Sequence, residues 1–391
     1  MNKKVLHVCL GNYYADGFGY QENLITKYQK RAGFKVVILA SQRNYSKETA
    51  SMFMDNAKEY TNEDGIKVIR IPYQFSGKVM GGISKILKCY DGTYEQIEKE
   101  KPDIIFLHNA QFRDVSHVIA YKRRNPNVQI YADNHADFIN SARTFWSKNI
   151  LHKIVWRYYV RKLEPYCEKF WGVTPNRCDF LSEVYGVANE KIELLPMGAD
   201  TEKINLEKSD IIRQRIRKEL QIGYDDFVLV TGGRIDKRKN IHKLLRAVSE
   251  LNEPKIKLIL IGVPNKEMTE TINTLLDPKY ARAIGWVNPD SIYDYFLASD
   301  LGVFPGTHSV LWEQAVGTGL PCIFHEWPGM THVDIGGNCV FIKNGDVSTI
   351  KEAITFIFND CAAYERMRAV SMDKGIQYFS YENISRKAIG L

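Results

Sequence analysis

The sequence lacks several features that assign proteins to whole classes. Among its 391 residues there is no uninterrupted run of 18 apolar residues, so no membrane-spanning helix is predicted. Its seven cysteines are odd in number and form no Cys-x-x-Cys pair, which favours reduced thiols over a disulfide framework. The first apolar run, residues 5–10, is too short for the core of a signal peptide. We therefore expect a cytoplasmic protein.

Motifs for metals and dinucleotides are also missing. No group of His, Cys, Asp and Glu has the sequence spacing of a metal site, so no metal ligand is predicted. Gly17 and Gly19 follow the first apolar run, but Glu22 stands where a dinucleotide fingerprint requires a third glycine. The sequence therefore predicts neither a metal nor any other cofactor.

Positive charge is in excess, and the excess lies in the first half of the chain. Residues 1–200 carry 29 basic and 22 acidic side chains, whereas residues 201–391 carry 24 of each. Two acid-free basic stretches, 65–90 and 143–162, contribute to it, and aromatic residues are interleaved with the cations of the second. This pattern is typical of a helix on an anionic membrane surface. An ordinary amphipathic helix covering a sheet explains it as well, and no nucleic-acid motif accompanies it.

Short apolar runs alternate with helical patterns along the chain. Alternation of this kind predicts β-α-β units and parallel sheets covered on both faces. Helical patterns are found at 20–31, 113–124 and 207–220. The predicted strands are residues 5–10, 35–40, 104–107, 129–132, 170–173, 227–231, 257–261, 301–304 and 322–324.

A turn cluster at residues 196–200, Pro-Met-Gly-Ala-Asp, divides these patterns into two halves. We predict a first α/β domain over residues 1–197, a second over 198–375, and a C-terminal helix over 376–391 that packs back on the first. Ligands of parallel sheets bind outside the carboxyl ends of the strands, which here predicts a site in the interdomain cleft.

The clearest candidate site is the run VTGGRIDKRKN, residues 230–240, which closes the first strand of the second half. Gly233 allows a close approach to the backbone. Arg234 supplies a rigid fork for phosphate oxygens and Lys239 a point charge, so together they can neutralise a diphosphate without a metal. The alternative is a solvated charge run before a helix.

Three further groups are candidates. Glu313 lies in an apolar helical pattern, where its carboxylate suits the two hydroxyls of a ribose unless it is a surface residue. His135 follows a predicted strand and could position a substrate hydroxyl or phosphate, although a structural role is the alternative. Gly17 and Gly19 could present backbone N–H groups to an anion, or form a plain turn.

These motifs, in this order, resemble those of the retaining GT-B glycosyltransferases of glycosyltransferase family 4, also called glycosyl transferases group 1. The resemblance covers nearly the whole chain, and its specific parts are GGRIDKRKN, the Gly-Trp-Val at 285–287 and EQAVGTGLP at 313–321. It implies two tandem Rossmann-like domains with an interdomain cleft. It also implies a nucleotide-sugar donor bound mainly by the second domain and an acceptor bound mainly by the first.

The resemblance implies a role for individual residues by position. Arg234 and Lys239 would hold the donor diphosphate, and Glu313 would accept the ribose hydroxyls as the second glutamate of the family's E-x7-E motif. His135 would lie near the transferred sugar. The remaining positions are Trp286 and Val287 against the base, and Gly17 and Gly19 beside the phosphates or the acceptor.

The sequence departs from the family at Pro305, which stands where the first motif glutamate should be. The loop that follows is also about four residues shorter than usual. Either His308, Ser309 and the backbone N–H groups up to Val310 rebuild the sugar contacts, or activity is lost.

We therefore expect a retaining, metal-independent hexosyltransferase. It would move a sugar from a nucleotide sugar, with UDP favoured and GDP next, to a saccharide or lipid-linked saccharide in cell-surface polysaccharide synthesis. The expected partners include an anionic membrane surface, met through 65–90 and 143–162 at the inner face of the cell membrane, and no nucleic acid. The alternatives are a non-catalytic nucleotide-sugar-binding subunit and another GT-B enzyme, such as a sugar epimerase.

Overall fold

The computed structural model describes residues 3–46, 51–75 and 77–391. The chain divides into two compact units. Unit 1 comprises Met1–Pro196 and Ile384–Leu391, and unit 2 comprises Met197–Asn383. The division falls one residue before the predicted boundary. Of the predicted C-terminal helix, residues 376–383 group with unit 2, and only the last eight residues group with unit 1.

Unit 1 is built on an eight-stranded sheet in the order β10-β9-β8-β7-β1-β2-β6-β5. All neighbours are parallel except the edge strand β5, which is antiparallel to β6, and a separate antiparallel pair is formed by β3 and β4. The strands are β1 (Lys4–Cys9), β2 (Lys35–Ser41), β3 (Arg43–Ser46), β4 (Ser51–Met54), β5 (Lys58–Thr61), β6 (Lys67–Ile71), β7 (Ile104–Leu107), β8 (Gln129–Asn134), β9 (Lys169–Gly172) and β10 (Ile192–Leu194).

Helices connect these strands. A π-helical segment, Ser147–Trp156, runs directly into the fifth α-helix, so that residues 147–163 form one continuous helix. The α-helices are α1 (Gln21–Arg31), α2 (Lys78–Leu87), α3 (Thr93–Glu100), α4 (Val115–Arg124), α5 (Arg157–Leu163) and α6 (Pro175–Glu183).

Unit 2 contains a six-stranded parallel sheet in the order β13-β12-β11-β14-β15-β16. Its strands are β11 (Phe227–Gly232), β12 (Ile256–Ile261), β13 (Ala281–Gly285), β14 (Leu301–Phe304), β15 (Cys322–His325) and β16 (Cys339–Ile342). The helices are α7 (Ser209–Glu219), α8 (Ile241–Leu251), α9 (Thr269–Leu275), α10 (Ile292–Leu297), α11 (Leu311–Gly317), α12 (Val347–Asn359), α13 (Cys361–Val370), α14 (Ile376–Tyr378) and α15 (Tyr381–Lys387), the last of which spans the boundary to unit 1.

Both faces of each large sheet are buried. In β11, Leu229 packs into one apolar cluster, whereas its neighbours Val228 and Val230 pack into another on the opposite face. This follows from the two-residue period of a strand, and it explains why the strands are continuous apolar runs in the sequence. The predicted α/β class, with two Rossmann-like domains built on mainly parallel sheets, is confirmed.

The strand order of unit 2 determines where a ligand can bind. From β11 the chain builds β12 and β13 on one side, and then crosses over to build β14, β15 and β16 on the other. Loops therefore leave the carboxyl ends of β11 and β14 in opposite directions, which opens a crevice between them. This crevice lies between the loop at residues 233–240 and the loop at residues 305–310.

Backbone carbonyls of the last segment hold side chains of unit 1. Trp171 Nε1 donates to Ala388 O at 3.0 Å, and Gln29 Nε2 donates to Ser385 O at 2.9 Å. The ammonium group of Lys387 in turn donates to Leu194 O at 2.9 Å. These bonds explain why Ile384–Leu391 groups with unit 1.

Two predictions about compartment can be compared with the structure. Within the part of the chain that is described, no helix has both the length and the hydropathy needed to cross a bilayer. All seven cysteines lie in that part and carry free thiols.

Candidate active site

Hydrogen bonds join the two loops that flank the crevice in unit 2. Lys239 Nζ donates to the carbonyl oxygens of Thr307 and His308, at 2.6 and 3.1 Å. Asn240 Nδ2 donates to Pro305 O at 2.9 Å. The loop after β11 and the loop after β14 therefore form one structure at the point where the strand order reverses.

Glycines permit this close approach of backbones. A Cβ atom at Gly306 would lie 2.4 Å from the backbone of Arg238 and of Lys239, so no larger residue fits without moving a loop. Gly262, at the end of β12, has a φ of +117°, and a Cβ there would lie 2.1 Å from Gly233 O. Bare backbone therefore lines the ends of these strands. Gly262 was not predicted as a site residue, because in the sequence it is only an isolated glycine after a strand.

The two predicted cations of the first loop differ in their surroundings. Arg234 is exposed, and no described residue makes a hydrogen bond or ion pair with its guanidinium group. Lys239 is half-buried, and this burial, only partly offset by Asp236, lowers its pKa to about 8. Arg238 pairs with Asp236 at 2.7 Å. Of the two predicted cations, Arg234 is therefore unpaired among the described residues, and Lys239 is partly desolvated.

Glu313 is a buried, ionised carboxylate and not a surface residue. Its Oε1 accepts hydrogen bonds from Nε2 of His308 at 2.7 Å and from Nε2 of His332 at 2.9 Å. Burial by itself would raise the pKa of Glu313, but the charge and hydrogen bond of His308 and the hydrogen bond of His332 outweigh it and lower the pKa to about 2. Its Oε2 is buried and has no partner among the described residues. The described residues therefore leave the lone pairs of one carboxylate oxygen unused.

His332 was missed by the sequence analysis. It lies in the loop between β15 and β16, 19 residues after Glu313, and no periodic pattern marks it. One ring nitrogen of His308, one of His332 and a carboxylate oxygen of Glu313 all lie within 4.8 Å of one another, so these side chains could hold a metal ion. This group of possible metal ligands has no recognisable sequence spacing, because its members are far apart along the chain.

The other predicted donor residues also lie at carboxyl ends of strands in unit 2. Trp286 follows β13 and is 73% exposed, whereas Val287 is half-buried. Ser309 lines a small cavity that Lys239, Thr307 and Trp312 also border. Val310 precedes α11, and its carbonyl oxygen accepts from Gln314 N at 3.0 Å.

In unit 1, His135 belongs to a network at the carboxyl ends of β7 and β8. Its backbone N–H donates to Asn109 Oδ1 at 2.9 Å, and its Nε2 lies 3.3 Å from Asp133 Oδ2. His108 Nδ1 is 3.2 Å from the same oxygen, and its Nε2 is 3.0 Å from Nδ1 of His7. His108 and Asn109, which directly follow β7, are therefore joined to His135 through Asp133.

Burial and charge set the protonation of this network. Burial and the nearby His108 lower the pKa of His7 to about 3, so its ring is neutral. Burial would raise the pKa of Asp133, but His135 and His108 outweigh it and hold that pKa well below its usual range. Burial raises the pKa of Glu22 at the start of α1, where the amide of Gln21 is buried without a partner among the described residues. Unit 1 thus has its own cluster of buried polar side chains.

Gly17 and Gly19 lie in the turn between β1 and α1 of unit 1. The N–H of Gly17 donates to Glu63 Oε1 at 2.7 Å, so it is engaged by a side chain of the same unit. Gly19 is exposed, and a Cβ atom there would have no neighbour within 4 Å. Steric crowding therefore does not explain the glycine at position 19.

Three of the five cations in the 65–90 stretch are paired with acids or partly buried, which corrects the interpretation of that stretch. Lys67 pairs with Glu100 at 2.7 Å, and Arg70 is fully buried against Asp16 at 2.8 Å, because both belong to β6 inside the sheet. Burial lowers the pKa of Lys88 to about 8. Only Lys78 and Lys85 are exposed, and Ser76 lies outside the described residues.

Exposed apolar side chains are concentrated on two helices of unit 1. Trp146, directly before the helix 147–163, and Ile150, Ile154 and Tyr158 within it recur every fourth residue and are between 42 and 72% exposed. The neighbouring helix α2 exposes Val79, Met80, Ile83 and Ile86. Lys88 Nζ lies 5.6 Å from the ring of Trp156, so the end of α2 contacts the other helix. We call these eight exposed residues the apolar patch.

Two family models match this chain. The family model for Glycosyltransferase Family 4 matches residues 23–203, and the model for Glycosyl transferases group 1 matches residues 212–371. Together the two models cover most of both units.

Curated relatives are distant. Mannosylfructose-phosphate synthase of Agrobacterium fabrum is 25% identical over 242 residues, which cover 58% of this chain and 52% of the relative. A lipopolysaccharide core biosynthesis glycosyltransferase of Rhizobium meliloti, LpsD, is 29% identical over 160 residues, covering 39% of this chain and 45% of LpsD. The matches thus span about half the length of these relatives.

Solved structures match over nearly the full length. Anabaena Alr3699/HepE in complex with UDP superposes with a TM-score of 0.69 at 13% identity, and 98% of each chain is covered. Sucrose-phosphate synthase of Thermosynechococcus elongatus gives a TM-score of 0.65 at 14% identity, covering 99% of this chain and 97% of that one. At such identities the likeness shows the fold alone.

Proposed function

Since the chain belongs to glycosyltransferase family 4, with the GT-B fold, we propose that it transfers a sugar from a nucleotide-sugar donor to an acceptor hydroxyl. The observation that carries this proposal is the arrangement around the crevice of unit 2. There Arg234 and Lys239 lie in the loop after β11, and Glu313, with its unpartnered Oε2, lies in the first turn of the helix that follows the loop after β14.

Each part of the donor has a complementary group in this arrangement. Arg234 and Lys239 bind the diphosphate, whose charge they offset as a fork and a point charge. Oε2 of Glu313 accepts the ribose hydroxyls, and the histidine bonds to Oε1 keep the carboxylate ionised and fixed. The base lies against Trp286 and Val287, with Gly233 giving room beside the strand ends.

UDP is the nucleotide that we favour, with GDP next. Support comes from the Anabaena HepE structures, whose complexes contain UDP and, in one case, UDP-glucose. An exposed tryptophan beside the strand ends offers a flat apolar surface to a pyrimidine, without hydrogen bonds that would select one base.

The sugar contacts differ from the family pattern at Pro305. Pro305 is buried, its ring carries no hydrogen-bonding group, and its carbonyl oxygen accepts from Asn240. It therefore serves the loop and not the sugar. Thr307 and Ser309 line the cavity beside Lys239, so we assign the sugar hydroxyls to these side chains, to His308 and to nearby backbone N–H groups including that of Val310.

Transfer proceeds with retention and without a metal in this proposal. The acceptor hydroxyl attacks the anomeric carbon on the face from which the diphosphate leaves, and the leaving phosphate takes the acceptor proton. The protein's part is to stabilise the negative charge that develops on the diphosphate and to orient the substrates. We assign His135, oriented by Asp133, to the transferred sugar, and Gly17 and Gly19 to the acceptor side.

Slow hydrolysis of a panel of nucleotide sugars tests the proposal. An active transferase hydrolyses one donor of the panel and releases the sugar as the anomer with retained configuration, which NMR observes before mutarotation. Binding of a donor without turnover would instead indicate a non-catalytic subunit. Release of an epimerised sugar would indicate an epimerase.

We also propose that the acceptor is lipid-linked and that the apolar patch rests on an anionic membrane at its cytoplasmic face. Exposed aromatic and aliphatic residues of the helix 147–163 stand beside Lys153 and Arg157, which are also exposed. Apolar insertion combined with cationic attraction is how interfacial helices bind bilayers. The LpsD match supports a role in surface polysaccharide synthesis.

Sedimentation with anionic vesicles at physiological salt tests the membrane proposal. The wild-type chain should pellet with the vesicles, and a Trp146→Ser/Ile154→Ser variant should stay in solution. Phe356→Ser removes a 51% exposed aromatic residue from unit 2 and should pellet like the wild type. If the wild type stays in the supernatant, the proposal fails.

A further inference from the structure

The three side chains around Glu313 have the composition of a transition-metal site. Two imidazoles point their Nε2 atoms at one carboxylate oxygen, at 2.7 and 2.9 Å, and the three ligating atoms lie within 4.8 Å of one another. Ligands of a single zinc ion at its usual bond lengths lie about 3 to 3.5 Å apart. The observed separations, from 2.7 Å to at most 4.8 Å, bracket this spacing.

The chemistry of the group selects the metal. Imidazole nitrogens favour zinc and its neighbours in the transition series, whereas magnesium and calcium prefer ligand sets made of oxygen. The carboxylate is fully buried, and the histidine side chains are 11 and 2% exposed, so an ion there would exchange water for protein ligands. Zinc is therefore the ion to consider.

A metal ion can displace the hydrogen atoms on Nε2 of His308 and His332. A bound cation requires each Nε2 to offer a lone pair, so its hydrogen must leave or move to Nδ1. Nδ1 of His332 is buried and has no partner among the described residues, so no contact there opposes the other tautomer. Oε2 of Glu313 is likewise unpartnered, which allows the carboxylate to turn toward an ion.

We propose that His308, Glu313 and His332 bind one zinc ion, and that this zinc excludes the nucleotide from the donor site. The exclusion rests on the proposed function, in which Glu313 accepts the ribose hydroxyls. When both carboxylate oxygens ligate the zinc ion, neither oxygen is left to accept the ribose hydroxyls. Zinc is thus an inhibitor of a transferase that itself needs no metal.

Calorimetric titration of the chelator-treated, full-length chain with zinc chloride tests the site. All proteins carry Cys361→Ser, because Cys361 is an exposed thiol that could bind zinc by itself. One zinc per chain should bind, and His332→Gln should bind it about tenfold more weakly or worse. Glutamine keeps an N–H donor for Glu313 but is a poor zinc ligand. The matched control is His117→Gln on the surface of α4, which should bind like the parent.

Cobalt replaces zinc in a second measurement that needs no variant. If the cluster binds the ion, cobalt in the parent chain gives the intense visible bands of a four-coordinate site. A weak spectrum like that of cobalt in buffer contradicts the proposal, as does equal zinc affinity in the parent and His332→Gln.

Ligand-observed NMR with uridine tests the exclusion, since uridine lacks the phosphates that chelate zinc. Zinc should abolish uridine binding by the parent chain, whereas any uridine signal of His332→Gln should not respond to zinc. Uridine binding that persists in the zinc-loaded parent overturns the exclusion. If the parent binds no uridine even without zinc, the proposed nucleotide is wrong, and the calorimetric and cobalt measurements still decide the metal site.

Discussion

Lys239 carries its charge in a half-buried position, where the carbonyl oxygens of Thr307 and His308 are its hydrogen-bond acceptors. Removal from water lowers its pKa to about 8, more than two units below the ordinary value of 10.5. The protonated form is the one that binds a diphosphate. Lys239 should therefore make donor binding depend on pH in a range where other lysines stay charged.

We predict that the affinity for UDP falls as the pH rises through about 8. The sign follows from the lowered pKa, since Lys239 is charged below that value and neutral above it, although a bound diphosphate shifts the midpoint upward. Lys239→Arg should remove this dependence, because a guanidinium group stays protonated. Calorimetry at pH 7, 8 and 9 provides the comparison, and the arginine variant controls for titration of the ligand. Equal pH dependence in the two proteins would show that Lys239 does not contact the phosphates.

At this scale the sequence predicted residues whose chemistry and spacing are local. Arg234 and Lys239 are five apart in one loop, and Glu313 is a single acid in an apolar helix. His332 could not be predicted, because its contact with Glu313 depends on how the loop after β15 folds back. The network around His135 was hidden for the same reason, since its histidines come from different strands.

At the scale of elements, the close approach of two loops is what builds the crevice. Thr307 N donates to Arg238 O at 3.1 Å, and Gly306 lies against the backbone of Arg238 and Lys239. A side chain at position 306 would push the two loops apart. The geometry of the cations therefore depends on this glycine.

Gly306→Ala should lower the stability of the chain by about 1 to 3 kcal/mol, the usual range for a forced steric fit. It should also weaken UDP binding, because Lys239 would lose its carbonyl acceptors. The matched control is Gly82→Ala in α2, where a Cβ atom meets nothing within 4 Å and alanine favours the helix. Thermal melting and calorimetry give both quantities. An unchanged melting temperature in Gly306→Ala would mean that the loops do not pack as described.

Strands could be predicted where burial requires a continuous run of apolar residues in the sequence. The central strands, such as β1 and β11, are buried on both faces and therefore read as continuous apolar runs. The edge strand β5, Lys-Glu-Tyr-Thr, is mostly exposed and has no such signal. The cations of 65–90 could not be interpreted correctly from the sequence, because β6 places Lys67 and Arg70 beside acids that come from other elements.

At the scale of the whole molecule, the chain ends in the unit where it began. Trp171, Gln29 and Lys387 tie Ile384–Leu391 to unit 1 through backbone carbonyl acceptors. Ile384, Ala388 and Ile389 are buried there. The last segment therefore completes the core of a unit that is otherwise formed by the first half of the chain.

Truncation after Asn383 should destabilise unit 1 and leave unit 2 folded. It exposes apolar surface and removes the acceptors of the Trp171 and Gln29 side chains, each lost partner costing about 1 to 3 kcal/mol. Tryptophan fluorescence should report the change, since the Trp171 indole loses its hydrogen bond. Deletion of Leu391 alone, which is 64% exposed, is the control and should have little effect. Equal thermal stability of the truncated and intact chains would contradict this account.

The central claim is that unit 2 binds the diphosphate of a nucleotide sugar through Arg234 and Lys239. Its most direct test is the dissociation constant of UDP for the wild type, Arg234→Ala, Lys239→Ala and the neighbouring exposed control Lys237→Ala, each measured beside the melting temperature. A lost charged hydrogen bond is worth about 1.5 to 3 kcal/mol, so the first two variants should bind about 10- to 100-fold more weakly, and the control like the wild type. Arg234→Ala should leave the melting temperature nearly unchanged, because its side chain is exposed. Lys239→Ala should also lower the melting temperature, because it removes the hydrogen bonds to Thr307 and His308. Equal affinity in all four proteins would contradict the account.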